Sequence, residues 1–279
     1  MGYDHWSSHQ ESTTVTVDGH ELDVAYYDEG DGETVVFLHG IPTSSFLWHD
    51  VSTALTDEYR VIAPDMVGYG NSAQHDGFDR SIRAQEAMLD DFLEQIDVES
   101  VTLVGHDLGG GVALRYAAHN PEMVDDLVLS NAVCYDSWPI QQIADLGLPS
   151  TIESMSVGDL QGMLDEMFRT GLVSDDPDEA FIEGMKAPWD SEEGLVSLSR
   201  NAIGTNTSHT TEVDPSEIDA RTLLLWGTDD EFQPISYAEQ LEKDIPDAQL
   251  IGLDPANHWV VEDQTDAYRR ELRLFLDTA

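Results

Sequence analysis

At 279 residues the chain is long enough to bury a large core, as one domain or as a core carrying a smaller insertion. Hydrophobic residues at 41% and aromatics at 8% exclude global disorder. Lys and Arg number 12 against 56 Asp and Glu, a formal net charge of −44, so no basic patch of useful size exists for nucleic acid or an anionic membrane.

The opening stretch MGYDHWSSHQES has neither a basic nor an apolar leader region and is expected to be a polar extension. Thr13 to Val17 and Leu22 to Tyr27 alternate around Asp18-Gly19, which predicts an antiparallel hairpin. Apolar runs follow at 34–40, 60–65, 100–107, 125–133, 221–227 and 248–254. They do not alternate cleanly, which suits strands buried on both faces of a parallel sheet. Between them, helices are predicted at Ser81–Ile96, Gly109–His119, Ser236–Lys243 and Asp266–Leu276. Strand alternating with helix implies an α/β sheet covered on both sides. The rhythm breaks between Val133 and Thr222, where short helices are expected around Trp138–Leu146, Asp159–Thr170, Pro177–Lys186 and Glu192–Ile203. Met155, Met163, Met167, Phe168, Phe181, Met185 and Trp189 give that segment an apolar face, either a lid or simple packing. No apolar run approaches the roughly 18 residues of a membrane span, and the expectation is a cytoplasmic protein. Cys134, the only cysteine, excludes an intrachain disulfide.

The run Gly105-His106-Asp107-Leu108-Gly109 follows an apolar strand and opens a helix. Its G-x-D-x-G spacing is that of a nucleophile elbow with a carboxylate at the centre. Alone it also fits a glycine-rich turn with an incidental capping aspartate. Three other stretches lie at carboxyl ends of predicted strands: His39 to Ser45, Gly227-Thr228-Asp229-Asp230 and Asn257-His258. Nucleophile, acid and histidine thus follow one another along the chain, at the edge where open α/β sheets bind ligands.

With these elements the chain resembles the α/β-hydrolase superfamily over nearly its whole length. GHDLGGG and HGIPTSSFLW are similar to the Asp-nucleophile branch that holds haloalkane dehalogenases, fluoroacetate dehalogenases and epoxide hydrolases. The resemblance implies a mostly parallel eight-stranded sheet flanked by helices, formed by residues 1–134 and 207–279, with a helical cap at 135–206. It implies Asp107 as nucleophile and His258 as the base that activates water. Asp230, or less readily Asp229, would orient His258, and the backbone N–H groups of Ile41 and Leu108 would hold the oxyanion. No metal or organic cofactor is implied; the partners are a small apolar substrate and water. The reaction is expected to resemble haloalkane dehalogenation, with epoxide hydrolysis as the alternative. Ester or carbon–carbon hydrolysis and a non-enzymatic binding role are more remote readings. Dehalogenases hold halide with side-chain N–H donors where this chain has Leu108 and Ile41, which leaves Trp138 and Trp189 as leaving-group candidates. Epoxide hydrolases use cap tyrosines, for which Tyr135 is the candidate. Asn131 stands where some dehalogenases carry their acid. His39 and His106 are expected to serve structure.

The acidic, lysine-poor composition resembles that of proteins from salt-accumulating haloarchaea; Lys186 and Lys243 are the only lysines. Self-repulsion on this scale opposes a compact state in dilute buffer, and at molar salt the Debye length of about 3 Å screens it. Circular dichroism is therefore expected to show unfolding on dilution of salt and recovery at molar salt. Full stability in salt-free buffer would refute this.

Overall fold

The computed structural model describes residues 2–278. The hairpin forms between β1 (Glu11–Val17) and β2 (His20–Glu29), with Val17 opposite His20. Asp18 and Gly19 close it with φ of 49° and 82°, left-handed values that match the twist of the flanking strands. The remaining strands are β3 (Thr34–Leu38), β4 (Arg60–Pro64), β5 (Val101–His106), β6 (Val124–Ser130), β7 (Arg221–Gly227) and β8 (Ala248–Leu253). They form one eight-stranded sheet in the order β1-β2-β4-β3-β5-β6-β7-β8. β1 and β2 run antiparallel, as do β2 and β4, and every later pairing is parallel.

This is the sheet the apolar runs predict, with one difference at its edge. β5 is buried along its whole length, as a central strand covered by helices on both faces should be. β8 pairs only with β7, and of its residues only Leu253 is buried.

The helices are α1 (Tyr3–Ser7), α2 (His49–Thr53), α3 (Ile82–Gln95), α4 (Leu108–His119), α5 (Gln141–Leu146), α6 (Pro149–Ser154), α7 (Val157–Thr170), α8 (Glu179–Lys186), α9 (Glu192–Ile203), α10 (Ser208–Thr211), α11 (Ile235–Asp244), α12 (Val260–Asp263) and α13 (Thr265–Leu276). The polar-extension expectation for the first residues is corrected by α1. Trp6 is fully buried, stacks on Tyr27 at 4.4 Å and donates from Nε1 to Ser45 Oγ at 3.0 Å. One large aromatic anchors an otherwise polar segment, and average composition hides it.

Helices α5 to α10 all fall between β6 and β7. The first begins at Gln141, later than expected, and α6 was not foreseen. On α7, Leu160, Leu164 and Phe168 form the buried stripe at helical spacing. Phe168 packs on Trp259 of the core at 5.2 Å, and Arg80 Nη1 donates to the Ser197 carbonyl at 2.9 Å. No helix among the described residues is long and apolar enough to cross a membrane.

Helix α4 starts directly under the end of β3. A Cβ on Gly109 would lie 2.3 Å from the His39 carbonyl oxygen and 2.4 Å from that of Leu38. Both obstacles are backbone, so neither yields cheaply. Gly109→Ala is expected to lower stability by about 2–3 kcal/mol in denaturant melts at molar salt. An unchanged midpoint would show that α4 is free to shift.

Candidate active site

Asp107 occupies the turn between β5 and α4 with φ 50° and ψ −121°, a strained conformation for a residue with a side chain. Neighbouring strand ends hold it there. Its N–H donates to the Ser130 carbonyl at 3.2 Å, and its carbonyl accepts from Val133 N at 3.0 Å. The turn lifts the carboxylate onto the loop after β3. Oδ1 accepts from Ile41 N at 2.9 Å. A Cβ on Gly40 would sit 2.3 Å from Oδ1, so glycine is required for this close approach. Of the two N–H groups expected here, that of Ile41 bonds the carboxylate, and Leu108 opens α4 directly after Asp107.

Oδ2 faces His258, whose Nε2 lies 3.7 Å away. Nδ1 of that ring lies 2.9 Å from Asp230 Oδ2. With the proton on Nδ1, Nε2 is left as an acceptor directed at Asp107. Asp230 is fixed in turn. Its Oδ1 accepts from Phe232 N at 2.7 Å and Gln233 N at 2.9 Å, and Asn131 Nδ2 donates to Oδ2. Asp229 is exposed, and its side chain makes no hydrogen bond to His258 or Asp107 among the described residues. Asn131 is the residue that sequence reasoning undervalued. It carries no charge, but its amide bonds Asp230 while its Oδ1 accepts from Gly227 N at 3.2 Å. Its position just after β6 is legible in the sequence; its use as a donor is not.

Charge coupling follows from this geometry. Burial pushes the Asp107 carboxyl upward, opposed by His258 and the two backbone N–H groups. For Asp230, burial also acts upward, but the charge and hydrogen bond of His258 and the bonds from Asn131 and Gln233 leave it below the usual range. For His258, burial acts downward, yet Asp230 and Asp107 together hold the imidazole above its ordinary value. Burial, then the neighbouring His258, pushes His106 down to about 3; its Nε2 bonds the His258 carbonyl at 2.9 Å. His39 bonds the Gly40 carbonyl through Nδ1 at 2.8 Å and accepts from Met66 N at 3.0 Å. Both rings thus brace the loops that carry the site.

The leaving-group candidates are dispersed. The Tyr135 hydroxyl is engaged, donating to Asp244 on α11 at 2.7 Å near the surface. Trp189 is buried, but its Nε1 donates to the Pro42 carbonyl at 2.7 Å and so is already engaged. Trp138 is buried with an Nε1 that has no partner among the described residues. Tyr69, which sequence reasoning did not single out, is fully buried with an unpartnered hydroxyl. Its ring lies edge-on to His39 at 5.1 Å and to Trp189 at 6.0 Å. Burial, and then the charge of Asp107, pushes its hydroxyl upward, which keeps the phenol protonated. No group of three or more His, Cys, Asp or Glu arranged for a metal occurs among the described residues.

Residues 33–178 match the family model described as alpha/beta hydrolase fold, slightly more than half of the chain. The chain is 26% identical to haloalkane dehalogenase 2 of Mycobacterium tuberculosis, with 87% of each chain covered. It is also 26% identical to a cis-3-alkyl-4-alkyloxetan-2-one decarboxylase of Xanthomonas campestris, over 91% of this chain and 92% of that one. An alpha/beta hydrolase fold protein from Burkholderia ambifaria superimposes with a TM-score of 0.83 at 22% identity, covering 95% of this chain and 99% of the other. The elbow, the histidine–acid pair and the matching family model together make this chain a hydrolase of the α/β-hydrolase fold family.

Proposed function

We propose that this hydrolase opens an electrophilic sp³ carbon by covalent catalysis through Asp107. The observation that carries the reading is the arrangement of that carboxylate, with Oδ1 held 2.9 Å from Ile41 N and Oδ2 turned to an imidazole whose other nitrogen is bound to Asp230. A carboxylate has no proton for the histidine to remove, so its first act is attack. Oδ2 forms a C–O bond as the C–X bond breaks and the leaving group departs with the electron pair. Oδ1 remains on the backbone N–H groups as the carbonyl oxygen of the resulting ester. His258 Nε2 then takes a proton from water, which adds to the ester carbon. Ile41 and Leu108 N–H stabilise the oxyanion on Oδ1. Collapse expels the alkoxide, and the imidazolium returns its proton to give the alcohol. Attack on an ordinary ester would instead yield a labile anhydride.

A small apolar haloalkane is the substrate class we favour, supported by the likeness to a protein named haloalkane dehalogenase. Trp138, whose buried N–H is free, is the leaving-group donor on that reading. Epoxide opening is the second reading, and the observation that favours it is Tyr69. A departing oxygen needs a proton, and Tyr69 is a buried phenol with an unpartnered hydroxyl; forming the ester on Asp107 removes a charge that holds that proton in place. The net charge of −44 suits a salt-rich cytoplasm, which we take as the setting.

Single turnover in oxygen-18 water at molar salt, with haloalkane and epoxide panels, is expected to place label in Asp107. His258→Gln should still be alkylated and then stall, so that intact mass rises by the alkyl group. No adduct and no label with either panel would overturn the mechanism. Tyr69→Phe should slow epoxides by about 10²-fold while sparing haloalkanes, the size typical of a lost general acid. Equal effects on both classes would remove Tyr69 from the second reading.

The pH dependence follows from the shifts. Alkylation needs Asp107 ionised, and its pKa is raised, so that step should fall off on the acid side above the usual carboxylate range. Hydrolysis of the ester needs neutral His258. In the ester the negative charge of Asp107 is gone, which removes one of the influences holding His258 up. Ester hydrolysis should therefore retain its rate to lower pH than the free-enzyme imidazole would allow. Rapid-quench measurement of adduct decay against pH checks this, and a limb at or above the free-enzyme His258 pKa would contradict it.

A further inference from the structure

The His258 ring is held by Asp230, but the backbone that carries it is held from elsewhere. On one side stands Asn257, whose side chain is fully engaged. Its Nδ2 donates to the Thr170 carbonyl at 3.0 Å, and its Oδ1 accepts from His258 N at 2.8 Å and Glu231 N at 3.3 Å. On the other side, Trp259 N donates to the Gly171 carbonyl at 3.0 Å. The Trp259 ring lies 4.6 Å from that of His258, and a Cβ on Gly171 would come within 2.4 Å of its Nε1. Thr170 ends α7, so both chain neighbours of the imidazole are tied to the segment that leaves this helix.

Asp263, at the end of α12, closes the arrangement. Its Oδ2 accepts from Asn257 N at 2.9 Å. The same carboxylate accepts from Val173 N, at 3.1 Å from Oδ1 and 3.3 Å from Oδ2. Its own N–H donates to the Trp259 carbonyl at 3.0 Å. One side chain thus fastens residues 170–173 to the residues on either side of His258. The nucleophile is mounted differently. Asp107 is bonded to Ser130, Val133 and Ile41, all of which lie outside helices α5 to α10.

We infer that Asp263 is a positioning residue for His258, by which the helices between β6 and β7 set the place of the base while the sheet sets the place of the nucleophile. The two chemical steps should therefore respond differently to its loss. Attack by Asp107 does not use the imidazole, whereas ester hydrolysis needs Nε2 in line with water and carbonyl, and small displacements there are costly. As a statement about catalysis, the inference rests on the reading of Asp107 and His258 given above.

The test uses the full chain at molar salt and compares Asp263→Ala with Asp263→Asn. The amide keeps one oxygen able to accept from both Asn257 N and Val173 N, as Oδ2 does. Carbethoxylation by diethylpyrocarbonate, followed residue by residue by peptide mass, reads the freedom of each histidine without turnover. Asp263→Ala should speed modification of His258 about ten-fold, through local opening of the unpaired loop. His39 and His209, buried elsewhere, should be unchanged, and Asp263→Asn should stay near the unsubstituted protein. An unmoved His258 rate, or an equal rise at all three histidines, overturns the inference, the second because it reports general loosening. In single turnover with 1-bromobutane and with 1,2-epoxybutane, Asp263→Ala should form the Asp107 ester at the usual rate and lose it about ten-fold more slowly. Equal slowing of both steps overturns the positioning role. Absence of any ester in the unsubstituted protein would refute the catalytic reading, while the carbethoxylation result still decides what holds His258.

Discussion

Everything in the site depends on a carboxylate held above a strained backbone turn. Asp107 has a positive φ that only the surrounding sheet enforces, through bonds to Ser130 and Val133 at the ends of and beyond β6. That conformation sets the carboxylate on the Gly40–Ile41 loop on one side and against His258 on the other. Glycines at 40 and 109 are the complement of this turn: each lets backbone or carboxylate approach to a distance that any Cβ would forbid.

The histidine is positioned with equal care by neutral as well as charged groups. Asp230 receives two backbone N–H groups and an Asn131 amide besides the imidazole, so its negative charge is stabilised by His258 and by neutral donors, with no hydrogen bond from lysine or arginine among the described residues. This matters in a chain with so few basic residues. The active site contains two buried carboxylates around one imidazole, and backbone dipoles do much of the work that lysine or arginine would do elsewhere. The acidity of the surface and the acidity of the site are thus separate matters. The first is a question of screening; the second is solved locally by hydrogen bonds.

Residue types and their order were enough for the sheet, the elbow and the chain order of Asp107, Asp230 and His258. Apolar runs of strand length mark parallel strands because both faces must be dry, and glycines flanking Asp107 mark a turn that tolerates little bulk. Trp6 illustrates a failure of averaging, since a single aromatic buried among polar neighbours leaves no periodic trace. β8 illustrates another, since an apolar run does not reveal whether a strand has a partner on one side or two.

The leaving-group side was the least legible. Tyr135 and Trp189 have suitable chemistry and lie between β6 and β7, but their polar atoms are bound to Asp244 and to the Pro42 carbonyl. Nothing local marks Tyr69; its surroundings come from His39 and Trp189, residues far away along the chain. Local patterns thus settle where strands end and which reactive groups those ends carry, because backbone geometry and spacing act over a few residues. Which hydroxyl stays unpaired and which indole is already engaged are settled by packing between distant segments, and no local pattern encodes that.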